Sequence, residues 1–236
     1  MRSFIVMAMF AASLSHAAWT DYQETRELSL NAAGIKTLSI DAGAGSMDVT
    51  GVDGLENISV KATIVVPNTN EDDALEFIHK KMTLSLQGND SEGQLKALFD
   101  NGFMGKSSNA HIALEVMVPQ GLSVHIDDGS GSMDVIDIFG DVVIDDGSGS
   151  IDISNVANLR IDDGSGSIEI VGASGDVSII DGSGSITVKH VQGSVTIDDG
   201  SGSINVSDVE NDLIIVDDGS GGLSFSDVRG EVDAES

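Results

Sequence analysis

From residue 122 onward, isoleucine, valine and leucine alternate with polar residues in short bursts that recur at a fixed distance. The tract Asp-Asp-Gly-Ser-Gly-Ser recurs almost unchanged with them. Taking its first glycine as origin, apolar residues fall at offsets −5, −3, +4, +6 and +9. In one copy these are Val142, Ile144, Ile151, Ile153 and Val156; in another they are Val195, Ile197, Ile204, Val206 and Val209. Residues two apart share a face of a strand, so each pair predicts a short strand with one buried side.

The origin glycines are Gly129, Gly147, Gly164, Gly182, Gly200 and Gly219, spaced 18, 17, 18, 18 and 19 residues apart. A constant period near 18 marks a solenoid in which each copy forms one coil. The expected fold is therefore all-β, a single-stranded parallel β-solenoid with about 18 residues per coil. Parallel crossovers are right-handed by default. Six coils at about 4.8 Å each make a rod about 30 Å long. At offset +11 only glycine and asparagine occur (Gly140, Asn158, Gly175, Gly193, Asn211, Gly230), which predicts a corner with positive φ.

A seventh copy surrounds Gly43, with Leu38, Ile40, Met47, Val49 and Val52 at the same five offsets. Between it and the regular repeats of residues 122–230 lies an insertion of different character, about residues 55–121. There, Thr63 to Val66 reads as a strand end stopped by Pro67. Glu71 to Lys81 reads as a helix capped by Asn70, with acids in its first turn and Lys80 and Lys81 in its last. Met82 to Leu86 and Ile112 to Val118 alternate as strands, and Gly88 to Ala110 reads mostly as loop. One solenoid domain over residues 18–230 is expected, followed by an acidic tail at 231–236.

Composition sharpens this picture. Aromatic residues make up only 4% of the chain, which suits stacked β-branched ladders better than a core locked by large rings. Residues 1–17 read as a secretory signal: Arg2, an apolar run from Phe4 to Leu14, and the cleavage site Ser15-His16-Ala17. The run is too short to span a bilayer. Cysteine is absent, so disulfides, thiolate metal sites and a lipid-bearing cysteine are excluded. These features together predict a periplasmic or secreted protein. A net charge of −28 repels phosphate backbones and anionic headgroups, which excludes nucleic acid and direct membrane adsorption.

The candidate chemistry lies in the aspartates. At offset −1 stand Asp128, Asp146, Asp163, Asp181, Asp199 and Asp218, one per coil, and at −2 stand Asp127, Asp145, Asp162, Asp198 and Asp217, interrupted by Ile180. Stacked carboxylates about 5 Å apart repel by about 1 kcal/mol in water, so something must offset them. Each Asp can cap its own glycine corner as an Asx-turn. Alternatively the column is a cation ladder for Ca²⁺, which prefers several carboxylate and carbonyl oxygens. The calcium β-roll nonapeptide has its acid after the glycines, whereas here the acids precede them.

Other residues point away from catalysis. Ser130, Ser148 and Ser165 repeat without a paired histidine, so they read as corner residues rather than nucleophiles. An acid pair repeated in every coil marks a scaffold, whereas a glycosidase pair would break the repeat. Phe99, Phe103 and Met104 do break it, as a cover for the solenoid or as a protein-docking patch.

The N-terminal coil, the strand-and-helix excursion, the segment Val116 to Val124 and the glycine-serine coils together resemble a bacterial adhesin-like domain family of unknown function. The relatives of the family that this chain resembles include the toast-rack domains of envelope-stress systems. The resemblance covers about residues 26–230 and implies a β-solenoid in the cell envelope, with no family active site. It implies a non-catalytic binding or scaffold protein whose partner is an envelope or surface protein or glycan. The alternative is a calcium-binding extracellular structural protein.

Overall fold

The computed structural model describes residues 20–100 and 109–234. In chain order the elements begin with β1 (Thr20–Asn31), β2 (Thr37–Ala44), β3 (Met47–Val52) and β4 (Asn57–Thr69). Helix α1 (Glu71–Lys81) follows, then β5 (Met82–Gly88), β6 (Glu92–Phe99), β7 (His111–Pro119) and β8 (Ser123–Ile136). From there each coil supplies a short strand and a longer one. They are β9 (Val142–Asp146), β10 (Gly149–Val156), β11 (Leu159–Asp163), β12 (Gly166–Ala173), β13 (Val177–Asp181) and β14 (Gly184–Val191). The last are β15 (Val195–Asp199), β16 (Gly202–Val209), β17 (Leu213–Asp217), β18 (Gly222–Val228) and β19 (Val232–Ala234).

Two parallel ladders run the length of the stack. One follows β3, β8, β10, β12, β14, β16 and β18. The other follows β2, β8, β9, β11, β13, β15, β17 and β19. Strand β8 turns the corner and serves both. Isoleucine stacks on isoleucine at two core positions: Ile151, Ile168, Ile186 and Ile204 form one buried column, and Ile144, Ile161, Ile179, Ile197 and Ile215 another. Each such side chain contributes about 1.5–3 kcal/mol by leaving water. The short β19 continues the second ladder into the acidic C-terminal stretch, so Val232–Ala234 is ordered against β17.

The insertion closes the N-terminal end. Strand β7 pairs with β3, then β4 and β1 add antiparallel strands outside it. On the other ladder β6 pairs with β2, and β5 lies antiparallel outside β6. Helix α1 packs beside β4 and β5 through Ala74 and Ile78, and Asn70 caps it by accepting from the Asp73 N–H. Residues 92–99, read as loop, form β6 because Gly93, Leu95 and Ala97 alternate inward; glycine and alanine carry too weak an apolar signal to be noticed. Nor does Pro67 stop β4. The strand passes it through a bulge, with Asn68 at φ 54°.

The corners depart from expectation in an informative way. At +11 only Gly54, of the N-terminal coil, is at positive φ (69°); Gly140, Gly175, Gly193 and Gly230 are not, and a side chain there would instead strike the coil below, the Cβ at position 193 lying 2.3 Å from the Gly175 carbonyl oxygen. The shortened 17-residue coil moves Asn158 out of that column and beside Asp141 and Asp176. Positive φ occurs at +2 and at +8. At +2 stand Gly131, Gly149, Gly166, Gly184 and Gly202, where an added Cβ would also lie 1.5–1.8 Å from the carbonyl oxygen of the coil below. At +8 stand Asp137, Asn155, Gly172, His190, Asp208 and Asp227, at φ from 54° to 89°. These are the residue types that tolerate the left-handed region.

The 19-residue spacing is absorbed by a bulge at Val216, which puts Leu213 and Ile215 inside and leaves Ile214 and Val216 exposed. The corner geometry yields a direct test. Gly166→Ala combines a forbidden φ with a backbone collision and should cost on the order of 3 kcal/mol, whereas Ser165→Ala should stay within about 0.5 kcal/mol. Urea unfolding of the two variants measures the difference.

Candidate functional site

Along the second ladder, offsets −5, −3 and −1 share one parity, so the aspartate at −1 points into the coil with the two apolar residues before it. Asp128, Asp146, Asp163, Asp181 and Asp199 are each at most 6% exposed and pair in register from coil to coil. They form an interior column of carboxyl groups. Asp218 sits above the bulge in the last coil and is only half-buried.

Part of the burial cost is met by the corner itself. The Ser165 N–H donates to Asp163 Oδ1 at 3.2 Å, and Ser183 and Ser201 donate to Asp181 and Asp199 at 3.1 Å each. This is the Asx-turn. It engages one oxygen only. The Oδ2 atoms of Asp128, Asp163, Asp181 and Asp199, and both oxygens of Asp146, are buried without a hydrogen-bond partner from the protein.

Their acidity shifts accordingly. Burial raises the Asp128 carboxyl to about 7, helped by the charge of Asp146 and opposed by the Gly129 amide. Burial also raises Asp163 to about 6, with the Ser165 amide opposing and Asp146 and Asp181 adding to the rise. Asp146, Asp181 and Asp199 move the same way for the same first cause. Among the described residues no three histidine, aspartate or glutamate side chains converge as a metal ligand set.

The offset −2 aspartates have the opposite parity. Asp127, Asp145, Asp162 and Asp217 are exposed and Asp198 is half-buried, with exposed Ile180 between Asp162 and Asp198. Asp41 of the N-terminal coil extends this stripe and meets Lys96 at 3.1 Å. A second outward stripe crosses the other ladder: Glu115, Asp48, Asp134, Asp152 and Glu169 are successive neighbours in register. Lys61 pairs with Glu115 at one end of it (2.6 Å) and Lys189 with Glu169 at the other (3.4 Å). Asp48 and Asp152 are raised by partial burial and by the acids beside them. Asp48, Asp134, Asp152 and Glu169 all stand at offset +5 of their coils, whereas Glu115 lies in the insertion, where no offset points to it.

A third polar column was also missed. The side chains of Ser123, Asn158, Asp176 and Asp212 accept from the N–H of the residue one coil on, at 2.8–3.2 Å. The alternation of Asp, Asn and Ser at this corner was the available signal. Phe99 packs on Phe77 with ring centroids 5.3 Å apart and lies partly buried against the core, while Phe103 and Met104 fall outside the described residues.

The repeat, the two ladders and the N-terminal excursion correspond to a family whose model, Toastrack DUF4097, matches residues 35–236. The chain belongs to the Toastrack family. No curated protein matches it. Similar solved structures include a candidate cell adhesion protein from Clostridium sporogenes, 12% identical, covering 89% of this chain and 100% of that one, with a TM-score of 0.35. A candidate adhesin from Parabacteroides distasonis is 12% identical over 89% and 97% of the two chains (TM-score 0.38). A candidate lipid binding protein from the same organism is 14% identical over 91% and 97% (TM-score 0.36).

For this Toastrack chain the interior column makes a signed prediction. A carboxyl raised by folding contributes stability that is present below its unfolded value, near 4, and lost as pH rises through the folded value. The window for Asp163 therefore ends near pH 6 and that for Asp128 near pH 7. Asp163→Asn should raise the melting temperature at pH 8 and narrow the difference between pH 5 and pH 8; Asp163→Ala should lower it at both. Melting in chelator, MgCl₂ and CaCl₂ at equal ionic strength reports on cations in the same column, a bound Ca²⁺ showing as a rise that Mg²⁺ does not reproduce.

Proposed function

We infer that this Toastrack protein is a non-catalytic binding or scaffold protein, exported to the bacterial cell envelope, that engages an envelope or surface protein or glycan through its flat acidic faces. One observation carries the reading. Five successive carboxyls from Glu115 to Glu169 lie unbroken and in register on the outside of one ladder, and the stripe on the other ladder is interrupted only at Ile180 and Val216. Such a surface offers a repeated cationic-ligand pattern and no distinct site for one reacting bond. Export rests on the sequence of residues 1–17, which lie outside the described residues. Among the described residues no helix is long and apolar enough to cross a membrane.

A second reading, a calcium-stabilised extracellular structural protein, is favoured by the unpartnered oxygens of the interior aspartates. Its signature is the calcium-specific rise in melting temperature.

The binding reading is tested by cross-linking in cells with Asp134→Asn, Asp152→Asn and Glu169→Gln combined. These side chains point outward, so melting should change little. The envelope cross-links of the unaltered protein should be lost, and mass spectrometry of the cross-linked protein should find its N-terminus at Ala18. Identical cross-links from the triple variant would remove the stripe as the binding face. An intact Met1 would remove the export.

A further inference from the structure

The two ends of the stack are finished differently. At the N-terminal end the insertion lays β7, β4 and β1 over one ladder and β6 and β5 over the other, with α1 beside them. At the other end the described residues supply no such cover. Strand β18 pairs only with β16 and β19 only with β17, so each presents an open row of backbone donors and acceptors. Residues at the core offsets of this last coil are correspondingly open: Phe225 at +6 is 46% exposed and Val232 is 39% exposed, where Val206 and Leu213 one coil below are at most 2%. A free strand edge beside exposed apolar residues is a template for an added strand.

The charge around this edge selects the occupant. Asp217, Asp218, Asp227, Glu231 and Asp233 surround it, against one cation, Arg229, which is already paired with Glu210. A second copy brought end to end would set these acids against their own counterparts. At its other end the outermost strand β1 carries Asp21, Glu24 and Glu27, with Arg26 already paired to Glu24, so a head-to-tail approach would also set acid against acid. We propose that the open C-terminal coil is a docking edge for a cationic, strand-forming polypeptide segment, apolar at alternate positions and lysine- or arginine-bearing between them. Its backbone extends the ladder of β18, its apolar side chains cover Leu223, Phe225 and Val228, and its cations meet the acidic rim. This surface is separate from the acidic stripes, and its test distinguishes the two.

The probe is a nine-residue acetylated and amidated peptide of alternating lysine and valine, with a control in which glycine replaces each valine. Fluorescence anisotropy on the full chain should show the lysine-valine peptide binding at least tenfold more tightly than the control. Phe225→Asn with Val232→Asn, which leaves the charge unchanged, should weaken it at least tenfold. The triple stripe variant should bind it as the unaltered protein does. In the unaltered protein the peptide should slow hydrogen exchange over residues 222–234 and leave 131–136 unchanged, a readout independent of whether the end variant folds. Equal binding of both peptides, loss of binding in the stripe variant instead of the end variant, or protection confined to 131–136 would overturn the proposal. So would a stable dimer in sedimentation that excludes the peptide, since the occupant would then be a second copy.

Discussion

Every feature of this molecule depends on coils stacking in register with their backbones in contact at one corner. Parallel ladder hydrogen bonds hold neighbouring coils together, but the distance of closest approach is set where the second glycine of each Gly-Ser-Gly-Ser tract rests on the carbonyl of the coil below. No Cβ fits there, and no L side chain favours the φ of 146° to 157° that the chain adopts. Once that contact is made, isoleucine must lie over isoleucine and aspartate over aspartate. The dry core and the acidic columns thus have one cause.

That cause also sets the electrostatic problem. Identical carboxyls are forced one strand spacing apart, both inside and outside the stack. Outside, water and the lysines at the stripe ends screen them. Inside, one oxygen of Asp163, Asp181 and Asp199 is satisfied by its own turn, while burial first and neighbouring charge second raise the pKa of Asp128 and Asp163 and so favour the neutral form. A protein dominated by acids therefore carries its most consequential ones in the core. The same repetition leaves core positions such as Phe225 open in the last described coil, since no further coil of the described residues lies over them.

Much of this was legible in the sequence. The 18-residue period, the five core offsets of the coils from Gly129 to Gly200, the coil around Gly43 and the helix with its Asn70 cap are present as expected. The two faces of the Asp-Asp pair were not separated, although the parity from Val142 through Ile144 to Asp146 was there to be extended one step further. Strand β6 was hidden because its inward residues include Gly93 and Ala97. The +11 column was misread because glycine serves two purposes, positive φ and close approach, and only the neighbouring coil's position tells them apart. The bulge at Val216 lies beyond offset counting, since two registers of the same apolar run differ only in what the coil below presents.

The central claim is that complete coils are interchangeable units locked by register, and removing one tests it most directly. Deleting Ser165 to Gly182 excises one 18-residue period and rejoins Gly164 to Ser183, regenerating the corner sequence. The account predicts a protein with a β-sheet circular dichroism spectrum, a single cooperative unfolding transition, and a urea dependence reduced roughly in proportion to the surface lost. Deleting only residues 174–182, half a period, should abolish that transition. If the two deletions behave alike, in-register stacking is not what holds the molecule together.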